Sequence, residues 1–385
     1  LILTIALMAS VAASLNLFKV PPIMPLLMGA FHLSESRAGL LMSLFAINGL
    51  LLAIPAGFIL QKLGARITGL IALSFVIAGA AAGALTESTA IMFFSRFLEG
   101  AGMSFIAVVS PALVAAWFTG AQRGKAMGVL AAWVPLGSTL MFLLAPLIAS
   151  RWQWQGVWWF GCLYAAVVGI LYLVFVQSSP QGSQDPESVE ERLRPEDIKR
   201  ALRDRNLWFI SILFCCFNYV FNAFVTWTPT FLNEVRGNSL ATASLIVSLM
   251  TIFAIVSSPI AGWVSDRIGS RKLICVVPML LMMLLLPFAF SLSAPLFRPY
   301  GIVLGLIAGF IPTGVFSAGV EILGDRRLSG MAIAVIMIGQ NAGMLLGPFL
   351  FGAIVGSMGG WQTAFWMLAP VAALGAVAGW IARMN

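Results

Sequence analysis

The sequence predicts an all-α membrane protein: twelve transmembrane helices in two pseudo-symmetric six-helix bundles. Three observations carry that prediction. First, 60% of the 385 residues are hydrophobic and only 9% are charged, with a mean hydropathy of +0.99, a balance foreign to water-soluble domains. Second, the apolar residues fall in runs long enough to cross a bilayer, about 20 residues each. Third, the chain repeats itself. Gly57, Gln61, Lys62, Gly64 and Arg66 stand at the spacing of Gly262, Asp266, Arg267, Gly269 and Arg271, 205 positions earlier. Ala126 and Gly137 match Ala332 and Gly343 at an offset of 206, and Trp154, Gln155 and Trp159 match Trp361, Gln362 and Trp366 at 207. Such matches are not general membrane vocabulary, so the chain reads as a duplicated half.

The first apolar run covers about residues 1–30, bent near Pro21, Pro22 and Pro25 because proline removes a helical N–H and clashes with the preceding turn. It lacks the basic flank of a signal peptide. It also opens without an initiator methionine, so a short native tail is expected ahead of it. Further spans are expected at about 38–60, 67–86, 89–116, 124–149 and 156–177, with boundaries good to a few residues. Residues 178–205 break the pattern with Ser, Gln, Pro and mixed charge and form a linker, either a short amphipathic surface helix from Arg194 or a solvated tether. The second bundle follows at about 206–232, 241–264, 273–293, 300–322, 329–355 and 360–382. The expected domains are therefore 1–177, the linker, and 206–385.

Charge placement orients the chain. The even-numbered connections, the linker and the C-terminus carry sixteen of the twenty-two Lys and Arg residues, the odd-numbered connections four. Positive residues stay on the cytoplasmic side, so both termini and the linker are expected there, in a bacterial inner membrane. The net charge of +8 belongs with anionic lipid rather than nucleic acid. Cys162, Cys215, Cys216 and Cys275 show no C-x-x-C pair and His32 stands alone, so neither metal nor cofactor is expected.

The hairpin from Gly262 to Lys272 reads G-x-x-x-D-R-x-G-x-R-K. It resembles the signature between the second and third helices of each half in the major facilitator superfamily of secondary transporters. Arg96, Glu99, Gly100 and Gly102 look like that superfamily's fourth-helix signature. The resemblance implies a fold in which helices 1, 4, 7 and 10 line a central cavity, and a gating role for Gly57, Lys62, Gly64 and Arg66 in the first hairpin. In the second it implies the same role for Gly262, Asp266, Arg267, Gly269 and Arg271, with Glu321 and Arg326 joining their network. Gly262 and Gly269 are expected to let backbones approach and turn tightly, and Gly128, Gly137, Gly339, Gly343 and Gly347 to permit close helix packing. The antiporter pattern of the fifth helix is not cleanly present around Pro135 and Gly137. Asn16 to Pro25 and Asn218 to Leu232 are similar to organic-anion and cyanate-type porters.

The remaining two basic residues, Lys19 and Arg96, lie inside the membrane with Glu99 at similar depth. Intramembrane charges are expensive and mark function by default. Arg96 reads either as an anchor for an anionic substrate and a tuner of Glu99, or as the partner of a permanent i, i+3 pair. Lys19 reads as a cation for an anionic ligand or as a lysine snorkelling to the interface. Glu99, with Arg96, is the candidate proton-coupling group. Asn16, Trp133, Asn218, Tyr219, Asn222, Gln340 and Asn341 complete the expected substrate site, with helix-to-helix hydrogen bonding as the alternative for the asparagines. The function expected is secondary transport of a small organic anion, a carboxylate, by alternating access in a monomer, with protons as the candidate coupling ion. Efflux of amphipathic or cationic compounds and a non-transporting receptor or scaffold stay open as alternatives, and no catalytic constellation exists at membrane depth to suggest an enzyme.

Overall fold

The computed structural model describes residues 1–118, 120–176, 202–323, 328–357 and 359–384. The chain opens with α1 (Ile2–Phe18), a 3-10 turn at Pro21–Ile23 and α2 (Met24–Phe31). Together these make one broken span, because the prolines at 21 and 22 have no N–H to offer the carbonyls of Leu17 and Phe18. There follow α3 (Glu35–Leu85), α4 (Thr89–Trp117), α5 (Gly120–Ala131) and α6 (Trp133–Phe175). After the linker come α7 (Arg205–Glu234), capped by Asp204, α8 (Leu240–Ile268) and α9 (Arg271–Leu285), which runs on as a 3-10 turn at Leu286–Ser291. The last elements are α10 (Phe297–Ala308), α11 (Phe310–Ile322), α12 (Ser329–Ser357), α13 (Gly360–Trp366) and α14 (Leu368–Ile381).

Among the described residues, eleven helical stretches are long and apolar enough to cross a membrane. One of them, Gln122–Phe175, has 54 residues, about twice the length a crossing needs, and it breaks at Trp152 and Gln153. Counting it as two spans brings the eleven to twelve, so the protein is an all-α membrane protein of the expected kind. α3 likewise holds two spans, broken at Gly64, where φ is 75°.

The breaks themselves repeat. Gly64 and Gly269, 205 residues apart, have φ of 75° and 70°, and Gln153 and Gly360, 207 apart, have φ of 55° and 77°. Glycine adopts this conformation without strain; glutamine does so at a cost. The offsets read from side-chain matches therefore recur in the backbone. The glycine expectations divide. A Cβ on Gly57 or Gly128 would meet nothing within 4 Å, and one on Gly262 only Thr313 Cγ2 at 3.9 Å. Gly128 and Gly262 thus do not permit the close approach expected of them, because among the described residues no neighbouring backbone lies against them. Gly137, Gly339, Gly343 and Gly347 do: a Cβ on Gly137 would stand 2.5 Å from Ser14 Cβ, and on the other three would meet the backbone of Ser211, Cys215 and Tyr219.

Contacts divide the chain into two compact units, Leu1–Gln184 with Ser239–Ser248, and Asp185–Asn238 with Leu249–Asn385. The first has an apolar core that includes Ile5, Ala9, Val76, Ile106, Val109 and Val168. In the second, Trp227, Phe231, Phe351, Trp361 and Phe365 form an aromatic knot, with ring centroids 5.0–6.3 Å apart. Residues 178–201 of the expected linker, the surface helix proposed within it and Arg326 lie outside the described residues.

Candidate functional site

The broken first span creates the receptor for Arg96. Helix interiors spend each carbonyl on the N–H four residues on, but Leu17 is four before Pro21 and has no such partner. Arg96 of α4 supplies it: Nη2 donates to Leu17 O at 3.0 Å and Nη1 to Asn16 O at 2.6 Å. These are among the last carbonyls of α1, the negative end of its dipole, where a cation is stabilised. Nε donates to Leu41 O at 3.3 Å, and the guanidinium carbon lies 4.1 Å over the Phe45 ring.

Glu99, one turn along α4, joins both cations. Its Oε2 accepts from Arg96 Nη1 at 2.5 Å, and its Oε1 accepts from Lys19 Nζ in a short ion pair. All three side chains are fully buried. Lys19 therefore does not snorkel, since Glu99 gives its ammonium a partner at depth. The pair at i, i+3 forms, as one of the two readings of Arg96 expected, and Lys19 makes it a triad. The ammonium also donates to Asn16 Oδ1 at 2.8 Å and lies 4.4 Å over the Trp158 ring. Asn16 in turn is fixed by Nδ2 donating to Ala12 O at 2.9 Å and reaching Gly161 O at 3.5 Å.

Glycines shape the enclosure. A Cβ on Gly79 would come within 2.7 Å of both Glu99 Cγ and Ser95 O, and one on Gly161 would strike Asn16 Oδ1. Gly100 and Gly102 of α4 do not share one face. The first admits Phe45 and Asn48, the second Ala72 and Val76, so each lets a different span of α3 approach. The formal charge of the triad is +1, and the carbonyl end of α1 offsets part of it. Removing any single member of such an enclosure leaves a buried charge with too few partners.

The second unit brings Asn218 and Asn222 together: Asn222 Nδ2 donates to Asn218 O at 2.9 Å, and Asn218 Nδ2 to Phe214 O at 2.8 Å. Tyr219 packs by its backbone against Gly343 and Gly347. Asn341 bonds back to Met337 O at 2.9 Å, and Gln340 lies 3.9 Å from Met344 Sδ. Trp133 packs against the apolar core of the first unit. Trp158, Leu41 O and the two receptor glycines Gly79 and Gly161 went unread in the sequence. Trp154 and Trp158 at i, i+4, a T-shaped pair at 5.6 Å, were the one local signal for that face of α6.

At the second hairpin, Arg271 is the hub. It pairs with Asp266 at 2.8 Å and Glu321 at 3.2 Å, and donates to Ser265 Oγ at 2.7 Å. Asp266 thus braces the start of α9, and through Arg271 the end of α11. The residue four before Arg271, Arg267, lies 5.1 Å over the Trp263 ring. In the first hairpin Arg66 donates to Leu173 O at 3.1 Å; with Gln61 where the second copy has Asp266, no acid among the described residues holds it.

Helices broken at matching offsets, a charge triad at membrane depth and a charged hairpin after the second span of each half define a membrane transporter of duplicated six-helix design. The family model of the Major Facilitator Superfamily matches residues 6–329 and again 237–385, and the chain belongs to that superfamily. It is 22% identical over 368 residues to the hexuronate transporter of Bacillus subtilis (strain 168), covering 92% of this chain and 87% of that one. It is 24% identical over 381 residues to a probable sulfoacetate transporter of Cupriavidus necator, covering 92% and 86%. Among solved structures, a bacterial homologue of the human lysosomal transporter Spinster, in an inward-facing and unoccupied conformation, superposes with a TM-score of 0.89 at 14% identity, covering 99% and 96%. That likeness is one of fold.

Proposed function

We propose that the protein carries a small organic anion, a carboxylate, across the membrane by alternating access, with Glu99 taking up the coupling proton. The observation that carries this reading is the Lys19–Glu99–Arg96 triad, a fully buried cluster of formal charge +1. Within it Arg96 already has carbonyls and Glu99 as partners, so Lys19 is the group free to exchange Glu99 for a ligand carboxylate once a proton neutralises Glu99. The cluster is sealed here, and a ligand engages Lys19 only when α1 and α4 part. Relatives named for hexuronate and sulfoacetate transport agree with an anionic cargo. The lysine and arginine distribution supports cytoplasmic termini in a bacterial inner membrane, and we take residues 1–177 and 206–385 as the two moving bundles.

The test is uptake into proteoliposomes holding the purified protein. D-glucuronate and sulfoacetate should accumulate when a pH gradient is imposed, and the gradient should lose its effect in Glu99→Gln. Accumulation of cationic dyes in preference to either anion overturns the reading in favour of efflux.

A further inference from the structure

We propose that Thr226 and Thr230 of α7 are specificity-determining residues that read hydroxyl groups on the transported anion, so that hydroxylated carboxylates are preferred over plain ones. This rests on the anion reading above. Residues four apart share a row along a helix, and the rows of α7 have separable tasks. The row of Ser211, Cys215, Tyr219 and Trp227 packs on α12: Ser211 Oγ donates to Val335 O at 2.7 Å, Gly343 and Gly347 close on Cys215 and Tyr219, and Trp227 Nε1 donates to Pro348 O at 2.8 Å. The next row, Cys216 and Phe224, packs on α14 and α13, against Gly375 and Phe365.

Asn218, Asn222, Thr226 and Thr230 form the row on the other side of the α12 contact. Each is buried, and both threonines are fully so. The asparagine amides bond back to carbonyls of their own helix, and so does the neighbouring Thr228, whose hydroxyl donates to Phe224 O at 2.7 Å. Among the described residues the hydroxyls of Thr226 and Thr230 have no hydrogen-bond partner, although the same back-bond is open to them. At membrane depth an unpaired hydroxyl finds no bulk water, and such orphans call for an explanation. A bound guest supplies one. A threonine hydroxyl both donates and accepts, which matches an alcohol. No Lys or Arg lies between Arg205 and Arg236, so the row has no charge for a carboxylate. The row therefore answers the neutral part of the ligand. Thr226 and Thr230 are four residues apart, about 6 Å along the axis, a separation that suits alternate hydroxyls of a sugar-acid chain.

Valine is nearly isosteric with threonine, so Thr226→Val and Thr230→Val, singly and together, remove the hydroxyls and little else. Proteoliposome uptake is measured with two six-carbon probes, D-glucuronate and the unhydroxylated adipate. The expected result is a wild type with the lower KM for D-glucuronate and a rise of about tenfold in that KM for each valine, the scale of one hydrogen bond, with adipate transport unchanged. An unaltered KM for D-glucuronate, an equal loss for both probes, or a wild type that favours adipate overturns the proposal and leaves anion transport standing. A wild type that accumulates neither probe, nor sulfoacetate, removes the anion reading with it.

Discussion

Glu99 is the residue on which the charges of the first unit balance, because one carboxylate faces two cations that have no water to fall back on. Neutralising it strands both. Glu99→Gln should therefore lower stability in thermal unfolding of the detergent-solubilised protein by about 3–5 kcal/mol, the scale for breaking a buried pair. Lys19→Gln should cost less, since Arg96 still holds Glu99, and adding it to Glu99→Gln should return part of the loss. Equal losses in the two single variants, with no coupling in the double, would contradict the triad. On the ligand side, Lys19→Gln should weaken binding of D-glucuronate by about 2–5 kcal/mol, the scale of truncating one partner of a buried charge pair, as calorimetry on purified protein can measure. Lys19, Arg96 and Glu99 were legible because charges stand out in apolar runs. Trp158, Gly79 and Gly161 were not, because a Trp or Gly in a membrane helix is unremarkable until the neighbour it faces is known.

At the scale of elements, glycine decides where helices break and where they touch, and these are different glycines. Gly64 and Gly269 turn the two hairpins with positive φ, so alanine at either should cost about 1–2 kcal/mol through left-handed strain. Gly343 lies against the backbone of Cys215 and Tyr219, and Gly343→Ala should cost about 1–3 kcal/mol by overpacking. Gly57→Ala, with open space around it, should leave the melting temperature in place or raise it slightly through better helix propensity. A thermal-unfolding series of these four variants checks the ranking, and a Gly57→Ala loss as large as that of Gly343→Ala would refute it. The hairpin spacing made Gly57, Gly64 and Gly269 look alike in sequence, while the backbone separated turn from open space.

For the whole molecule, orientation and gating are the properties to test. A cysteine at Ser34 should react with an impermeant maleimide added outside intact cells, and one at Ser270 only after the inner face is exposed. Three of the four natural cysteines are buried and Cys215 is half-buried, which keeps the background low. The Arg271 network with Asp266 and Glu321 is exposed on its acidic side, so Arg271→Gln should shift unfolding by no more than about 1 kcal/mol. If the hairpin gates the inner side, the same variant should raise maleimide labelling of a cysteine at Gly262 in inside-out vesicles by shifting the population of open molecules. Unchanged labelling would remove the gate while leaving the ion pairs as a local brace.

The amino-acid order by itself determined the class, the span count and the duplication, because a bilayer admits only helices of a set length in an α-protein and charges mark where they end. It also marked Lys19, Arg96 and Glu99 as costly. Which partners satisfy them was decided by tertiary structure: Pro21 frees a carbonyl in α1 that only the approach of α4 can deliver to Arg96, and Gly161 admits the asparagine that steadies Lys19. The same holds for Thr226 and Thr230, whose hydroxyls look like those of any helical threonine in sequence and are seen to lack partners only once the rows of α7 are packed. Periodicity and charge are local properties of a chain, whereas the satisfaction of a buried polar group depends on what distant segments bring to it.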